Sequence, residues 1–570
     1  MAEYLSPGVY VEEFDSGSSP MQGVGTSTAG FIGLAEKGAV KGAPALITSQ
    51  ADFNRKFGGY LQENEYGEYR YLAYAVNHFF ANGGSRAYIM RVAPSDAKAA
   101  SAGVPGILEF QAKDPGKWGN SIVVSVEAAS KAKTQALEAL GKGAYRVKNA
   151  AGFEEGDVVV VEGADAPEYN IIASVKDNVI TFAADFKKAP VDTNLVPKTV
   201  LKTCELNVEV KCDDKVEAYE FISLNASASN FICKKMAKSE IVLVGAKPID
   251  KAISPIDFLK KSFGVEKGEL RIALAGGSNG SIKKISAADF IGEDRGPGER
   301  TGIQAFLDNS EVSIMAVPGI TDPNVQLSLV AHCENLGSRF AVLDMPKDAK
   351  SVEDVLAHRE IVDSDYCAMY HPWLEVFDPL DKKSTHIPPS GSVVGVYART
   401  DNTRGVHKAP ANEPVLNCTG LYCNYNVGEQ DTLNPKGVNL IRRFPGSGIR
   451  VWGARTASSN ALWRYVNVRR LFIYLEESIK ANTSWVVFEP NDAVLWTRVR
   501  RAVETFLEGI WRSGALAGDS PAQSYYVDIG PNTMTQADID NGKLICEIGI
   551  APVKPAEFVV FRITQNMNEQ

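Results

Sequence analysis

Apolar positions in this chain recur with two periods, every second residue and every three to four. Stretches obeying each period alternate along the sequence. Close to the start, Val9 and Val11 point away from Tyr10 and Glu12 behind Pro7-Gly8, which predicts a strand. A Gly/Ser-rich connector from Ser16 to Thr28 leaves that strand without a nearby partner. Thr28 to Leu34 reads as a buried strand, and Ser49-Gln-Ala-Asp52 as a capping box opening a short helix that Gly58-Gly59 closes. Leu72, Val76 and Phe79/Phe80 mark one face of a helix ending at Asn82-Gly83-Gly84, followed by a strand from Ala87 to Val92. This opening is α/β.

After Pro94 the composition turns to Ala, Ser and Gly, and from Ile107 to about Gly245 alternation dominates, as in Ile122 to Val126 and in Leu206, Val208 and Val210. Within it, Gly141 to Pro197 changes character again. EEGDVVVVEG, YNIIASV and NVITFAADF are short strands spaced by turn residues, which predicts a nested small β barrel or sandwich. From Leu270 the α/β rhythm resumes. It has a strand at Val312 to Val317, a helix opened by Asp322-Pro323 and running to Gly337, a strand at Phe340 to Leu343, and a helix capped by Ser351. Crossovers this short predict a partly parallel sheet covered by helices. Two amphipathic helices come late: Ala461, Tyr465, Val468, Phe472, Leu475 and Ile479 in one, and Leu495, Val499, Ala502, Val503, Phe506 and Ile510 in the other. Arg498, Arg501 and Arg512 flank the second stripe. The chain closes on a β-branched and aromatic run, Phe558 to Ile563, that reads as a strand.

A length of 570 residues implies two to four domains, and 45% hydrophobic with 23% charged residues is an ordinary globular composition. The acidic start, MAEYLSPGVYVEEFDSG, has neither the basic nor the apolar region of a signal peptide. Apolar runs such as Val158 to Val161 fall far short of the ~20 residues of a membrane span. Eight scattered cysteines suit reduced thiols made in a cytoplasm. A net charge of −9 argues against a nucleic-acid-binding surface overall. Arg442 to Arg512 nevertheless holds twelve Arg or Lys against six Asp or Glu, a local +6. That excess reads either as a mixed surface with some buried ion pairs or as a basic face awaiting an acidic partner.

Candidate chemistry is thin. Gly276-Gly-Ser278-Asn-Gly280 matches the nucleophile-elbow spacing behind a strand, but no helix follows at once, so a loop is expected and a hydrolase using Ser278 is the weaker alternative. Cys418, Cys423 and His407 fit no zinc spacing, His332, His358, His371 and His386 form no H-E-x-x-H, and no phosphate-binding loop is present. No catalytic residue, metal or cofactor is expected. The end strands suggest something different: donation to the open sheet edge of a neighbouring molecule, or pairing inside their own subunit.

Several runs then carry a resemblance. They are SPGVYVEE, STAGFIGLAEKG, NGGSRAYIMRV and DPGKWGNSIVVSV, and later PPSGSVVGVYARTDNTRGVHKAPANEP, LNPKGVNLIRRFPGSGIRVWGARTASS, WRYVNVRRLFIYLEESI, VVFEPNDAVLW and IAPVKPAEFVVFRI. In this order they resemble contractile tail sheath proteins, the sleeves of contractile phage tails, tail-like bacteriocins and injection systems. The nested stretch falls outside the resemblance. It implies an α/β (α+β) core built from both chain ends, with inserted domains facing outward. The expected division is an arm strand in 1–20, core in 21–95, a mainly β insertion in 107–250 nesting 141–197, an α/β domain in 251–390, the C-terminal core in 391–556, and an arm strand in 557–570. It implies hexameric rings stacked helically around an inner tail tube protein, with baseplate and tail terminator proteins as further partners, and without membrane insertion or direct nucleic-acid contact. The location would be a virion tail or extracellular particle assembled in a bacterial cytoplasm. By the same resemblance the intersubunit strands would hold Val9, Tyr10, Val11 and Glu12 at one end and Phe558, Val559, Val560 and Phe561 at the other. The inner-tube contact would hold Arg498, Arg501 and Arg512. A nucleic-acid-binding shell protein is the remaining rival.

Overall fold

A computed structural model of the protein describes residues 21–162, 167–187, 190 and 200–560. Apolar runs too continuous to face water on either side make the central element, a nine-stranded sheet. Its spatial order is Ala45–Ile47, Ala87–Val92, Ala29–Leu34, Ile314–Ala316, Phe340–Asp344, Cys367–His371, Val438–Phe444, Gly448–Val451 and Glu413–Pro414. The six strands from Ala87–Val92 through Val438–Phe444 are parallel. Successive side chains leave opposite faces: Phe31, Ile314, Phe340 and Tyr370 enter one core and Ile32, Met315, Ala341 and Met369 the other. Because Ala29–Leu34 lies directly against Ile314–Ala316, the stretch between Val92 and Ile314 leaves the sheet as an insertion, and the sheet is built from residues on both sides of it.

Helices Leu72–Ala81 and Ser390–Arg404 cover the first face, and Pro323–Leu336 covers the second. The first two touch backbone to backbone. A Cβ on Gly391 would stand 2.4 Å from Ala75 Cα, and one on Gly395 would stand 2.6 Å from the Phe79 carbonyl oxygen, so only glycine fits at either place. The start of Ser390–Arg404 is capped from outside by Asp344, whose carboxylate accepts from Ser390 N at 2.8 Å and from Ser390 Oγ at 2.7 Å. Burial pushes that carboxyl up to about 6, although these bonds pull the other way. Near the sheet margin Arg70 and Asp378, both buried, pair at 2.7 Å and tie the first α/β stretch to the Leu374–Asp378 and Lys383–Ile387 hairpin.

The sequence places most of these elements within a residue or two. Ser49 accepts from Asp52 N as a cap, but Asp52 turns to Arg55 and Lys56 instead of closing the box. Ala461 lies in a single 3-10 turn, and the helix expected to include it begins at Val466. The insertion runs further than its composition suggests. Leu270–Ala273, read as the return to α/β, pairs instead with Val123–Ala129 in a four-stranded antiparallel sheet, its alternate residues buried in the insertion's core. Nothing in four residues of that kind distinguishes one host sheet from another.

The nested stretch is one curled, seven-stranded antiparallel sheet around Tyr145, Val159, Ile172 and Phe182. No closed barrel is found among the described residues. The sheet's two edge stretches, Lys133–Thr134 and Ala136–Gly141, follow one another through Gln135. It therefore extends beyond the expected 141–197 to take in 133–141 and 200–203. KTQALEALG carries few β-branched residues and exposes most of its side chains, which hid it. At its base Ala129 and Glu205 are register partners in the four-stranded sheet, so chain entry and exit lie ~5 Å apart. Replacing Lys131–Thr203 with a turn of about four residues is expected to leave the rest folded, because the two ends already form a hairpin. Circular dichroism and solubility check this; an insoluble product would make the contact of Glu154 with Ser229, across the base, indispensable.

Candidate functional site

The C-terminal part is built on two helices, Val466–Asn482 and Ala493–Arg512. Asp492 caps the second, accepting from Val494 N and Leu495 N, and its expected stripe is buried at Leu495, Val499, Val503 and Phe506. Against this stripe lies a two-stranded antiparallel ribbon, Tyr525–Ile529 with Cys546–Ile550. Tyr525, Val527 and Ile529, with Cys546, Ile548 and Ile550, turn toward the helix. Arg500 joins the two elements, donating to the Ile529 carbonyl at 2.8 Å.

A ribbon of two strands has two outer edges, and neither is paired among the described residues. Along the Cys546–Ile550 edge runs a groove of about 680 Å³ walled by Leu495, Val499 and Val503 and by Val487 and Phe488 of the interhelical loop. Phe488 is fully exposed and held at φ 68°, a left-handed conformation that costs a side-chain-bearing residue about 1–2 kcal/mol. Unpaired N–H and C=O groups beside an apolar trough are the features that receive an extra strand: the backbone supplies hydrogen bonds and alternate side chains fill the trough.

The last described residues have the opposite character. Phe558, Val559 and Val560 are 76%, 69% and 77% exposed and belong to no strand, while Phe561 lies outside the described residues. Val9, Tyr10, Val11 and Glu12 also lie outside them. The first described residues and the stretch around Val553 both lie against Val466–Asn482. At the first, Asn482 bonds Gln22 and Ser478 accepts from Val24 N. Deeper in, Arg470 and Asp401, both buried, pair at 2.6 Å. Asp401 also accepts from Thr26 Oγ1 at 2.7 Å, and Arg470 donates to the Thr26 carbonyl at 2.9 Å.

Arg498, Arg501 and Arg512 are all exposed on the outward side of Ala493–Arg512, spread over about 21 Å of its length. Arg498 lies over the Trp485 ring at 4.7 Å with Glu489 at 3.9 Å, Arg512 pairs with Glu508 one turn earlier, and the Arg501 side chain makes no bond among the described residues. The basic excess divides accordingly. Arg470 is consumed in a buried pair with Asp401, Arg455 and Arg469 in partly buried pairs with Glu557 and Asp365, and Arg498, Arg501 and Arg512 remain outside.

Ser278 sits in a loop bridged to Lys98, and its Oγ accepts from Gly280 N; no His, Asp or Glu bonds it among the described residues. Cys418 turns to the Val415 carbonyl and Cys423 to His371, so the two cysteines and His407 do not converge. Among the described residues no three potential ligands group as for a metal.

Residues 295–457 match the phage tail sheath protein central domain and residues 458–566 the phage tail sheath C-terminal domain. The chain is 25% identical over 294 residues to a putative prophage major tail sheath protein of Pseudomonas aeruginosa (strain UCBPP-PA14), covering 49% of this chain and 73% of that one. It is 25% identical over 293 residues to the tail sheath protein of Escherichia phage P2, covering 49% and 70%. Its fold is shared with the sheath complex of an extracellular contractile injection system, PVC, in the contracted state, over 99% of both chains at 21% identity and a TM-score of 0.53.

Asp401→Ala is expected to destabilise the subunit by about 3–5 kcal/mol, because it strands Arg470 out of water, whereas the apolar double replacement Asp401→Leu/Arg470→Met recovers much of that loss. Denaturant midpoints of the two variants check the pair; equal losses would mean the pair itself supplies the stability.

Proposed function

Because the chain belongs to the contractile tail sheath protein family, we propose that it is the structural subunit of a sheath that polymerises helically around an inner tube and contracts to drive that tube through a target cell envelope. The observation that carries this reading is the pairing of opposites in one subunit: a ribbon whose outer edges are unpaired among the described residues, beside an apolar groove, and an exposed apolar stretch, Phe558–Val560, that belongs to no strand among them. Each subunit offers a strand and has room for one. In an array of hexameric rings the segments around Val9–Glu12 and Phe558–Phe561 cross to neighbours and complete their sheets. About four such bonds at ~0.5–1.5 kcal/mol each are weak singly and cumulative in a polymer.

Contraction then needs little change inside the subunit. Rigid bodies rotate and repack interfaces while the crossed strands keep neighbours tethered, so the free energy is stored at assembly and no nucleotide is consumed. The inner tube lies against Ala493–Arg512, with Arg498, Arg501 and Arg512 reaching acidic groups on it, and baseplate and terminator proteins close the two ends. The nested sheet projects outward. The particle is a virion tail or an extracellular contractile system assembled in a bacterial cytoplasm.

Removing Met1–Asp15, or Glu557–Gln570, is expected to abolish tube formation while leaving a folded subunit, read by sedimentation and negative-stain microscopy. Normal tubes from either truncation would mean that segment pairs within its own subunit. Reversing charge at Arg498 and Arg501 is expected to weaken tube attachment, most visibly at low salt where screening is weakest, and to leave self-assembly in place. Equal loss of both would make the two arginines structural.

A further inference from the structure

The way the chain leaves the fold before Phe558 is unusual. After Val553, whose N–H bonds the Ala515 carbonyl and whose own carbonyl accepts from Asn467 Nδ2, the backbone becomes irregular. From there to Val560, every hydrogen bond made among the described residues goes through one side chain, the Glu557 carboxylate. Its two oxygens take four donors. Arg455 grips both, Nε to Oε1 at 2.9 Å and Nη2 to Oε2 at 2.6 Å. Asn434 Nδ2 adds a bond to Oε1 at 2.9 Å, and the Tyr465 hydroxyl one to Oε2 at 3.2 Å. Burial alone raises the Glu557 pKa, and these donors more than reverse it, holding the group below the ordinary glutamate value.

The grip reaches into the central sheet. Arg455 N donates to Asn439 Oδ1 at 2.7 Å, and Asn439 Nδ2 returns a bond to the Arg455 carbonyl at 2.7 Å. Asn439 is fully buried on Val438–Phe444, and its Nδ2 also bonds the Met369 carbonyl of the adjacent strand. A bidentate guanidinium–carboxylate pair fixes direction as well as distance, because both partners are planar. A rigid line of bonds therefore runs from two parallel strands through Asn439 and Arg455 to Glu557, and ends one residue before three exposed apolar side chains.

We propose that Glu557 is a positioning residue for strand donation: it aims the C-terminal segment, so that Phe558–Val560 leave every subunit in one direction and the strand reaches only the neighbour that lies there. This rests on the reading that the C-terminal segment is the intersubunit strand. Donation by a freely swinging tail pays for ordering at each encounter, and a tail fixed at its root has met most of that cost beforehand.

The test compares Glu557→Ala, Glu557→Gln and the Glu557–Gln570 truncation in the full subunit. The readouts are thermal unfolding of the unassembled subunit, the threshold concentration for tube formation by sedimentation, and helical order in electron micrographs. Glu557→Ala is expected to raise the threshold roughly tenfold, as expected for a preorganisation effect, and to blur helical order, while the unfolding midpoint falls by less than in Asp401→Ala, because the Glu557 carboxylate is partly exposed and water can reach Arg455 once it is gone. Glu557→Gln, which keeps acceptor and shape but not charge, is expected to fall between. Alanine tubes of unchanged threshold and order, beside a truncation that makes none, would overturn the positioning role and leave the strand-donation reading standing. Normal tubes from the truncation would overturn both. An unfolding midpoint that falls in proportion to assembly across the variants would make Glu557 an ordinary structural contact and also overturn the proposal.

Discussion

The C-terminal half depends on a charge pair kept out of water. Arg470 on Val466–Asn482 meets Asp401 on Ser390–Arg404, and Thr26 closes the triangle from the far end of the sequence. A pair this buried adds little net stability, since dehydrating both ions offsets most of their attraction. Its effect is on arrangement. Any packing that slides one helix along the other leaves an unpaired charge in the interior, so the three segments have one allowed register. The Tyr397 ring stacks under the Arg470 guanidinium and bonds Tyr370 of the central sheet, so that register is referred to the sheet itself.

Periodicity carries the parts of this fold that obey a local rule. Leu495, Val499, Val503 and Phe506 are a helix stripe in the sequence and a buried stripe in the structure, and the strand read at Phe340 to Leu343 is the buried strand Phe340–Asp344. What resists reading depends on partners distant in the chain. Arg469 and Arg470 look like part of a basic surface because Asp365 and Asp401 lie 104 and 69 residues away. Lys133–Thr134 and Ala136–Gly141 carry little strand signal because they hold edge positions whose outward side chains face water. The ribbon leaves little trace in the sequence for a related reason. YYVDI and CEIGI are five residues each, too short to announce that their edges are free.

Those edges, unpaired among the described residues, show how a subunit can be folded and still have room for added strands. A two-stranded ribbon is marginal alone, and here it survives because one face rests on Leu495, Val499 and Val503. In an isolated subunit water can satisfy the backbone groups on its edges. Added strands would exchange that water for amide bonds and cover Val487 and Phe488, while the two large cores flanking the central sheet, already complete, have no reason to change. If strands add there, fold stability and assembly fall on separate surfaces, and a substitution can alter one and spare the other.

The base of the nested sheet has a mechanical consequence. Val123–Ala129 and Glu205–Cys212 pair through seven register partners, and the module hangs from one end of that ladder at Ala129 and Glu205. Any drag on the module pulls both strands from the same end, so the bonds are loaded one after another, as in peeling, and never shared as in shear. The ladder is the weakest link between the module and the inserted domain under force. A sudden movement of the whole subunit would open it from the tip inward before appreciable load reached the central sheet.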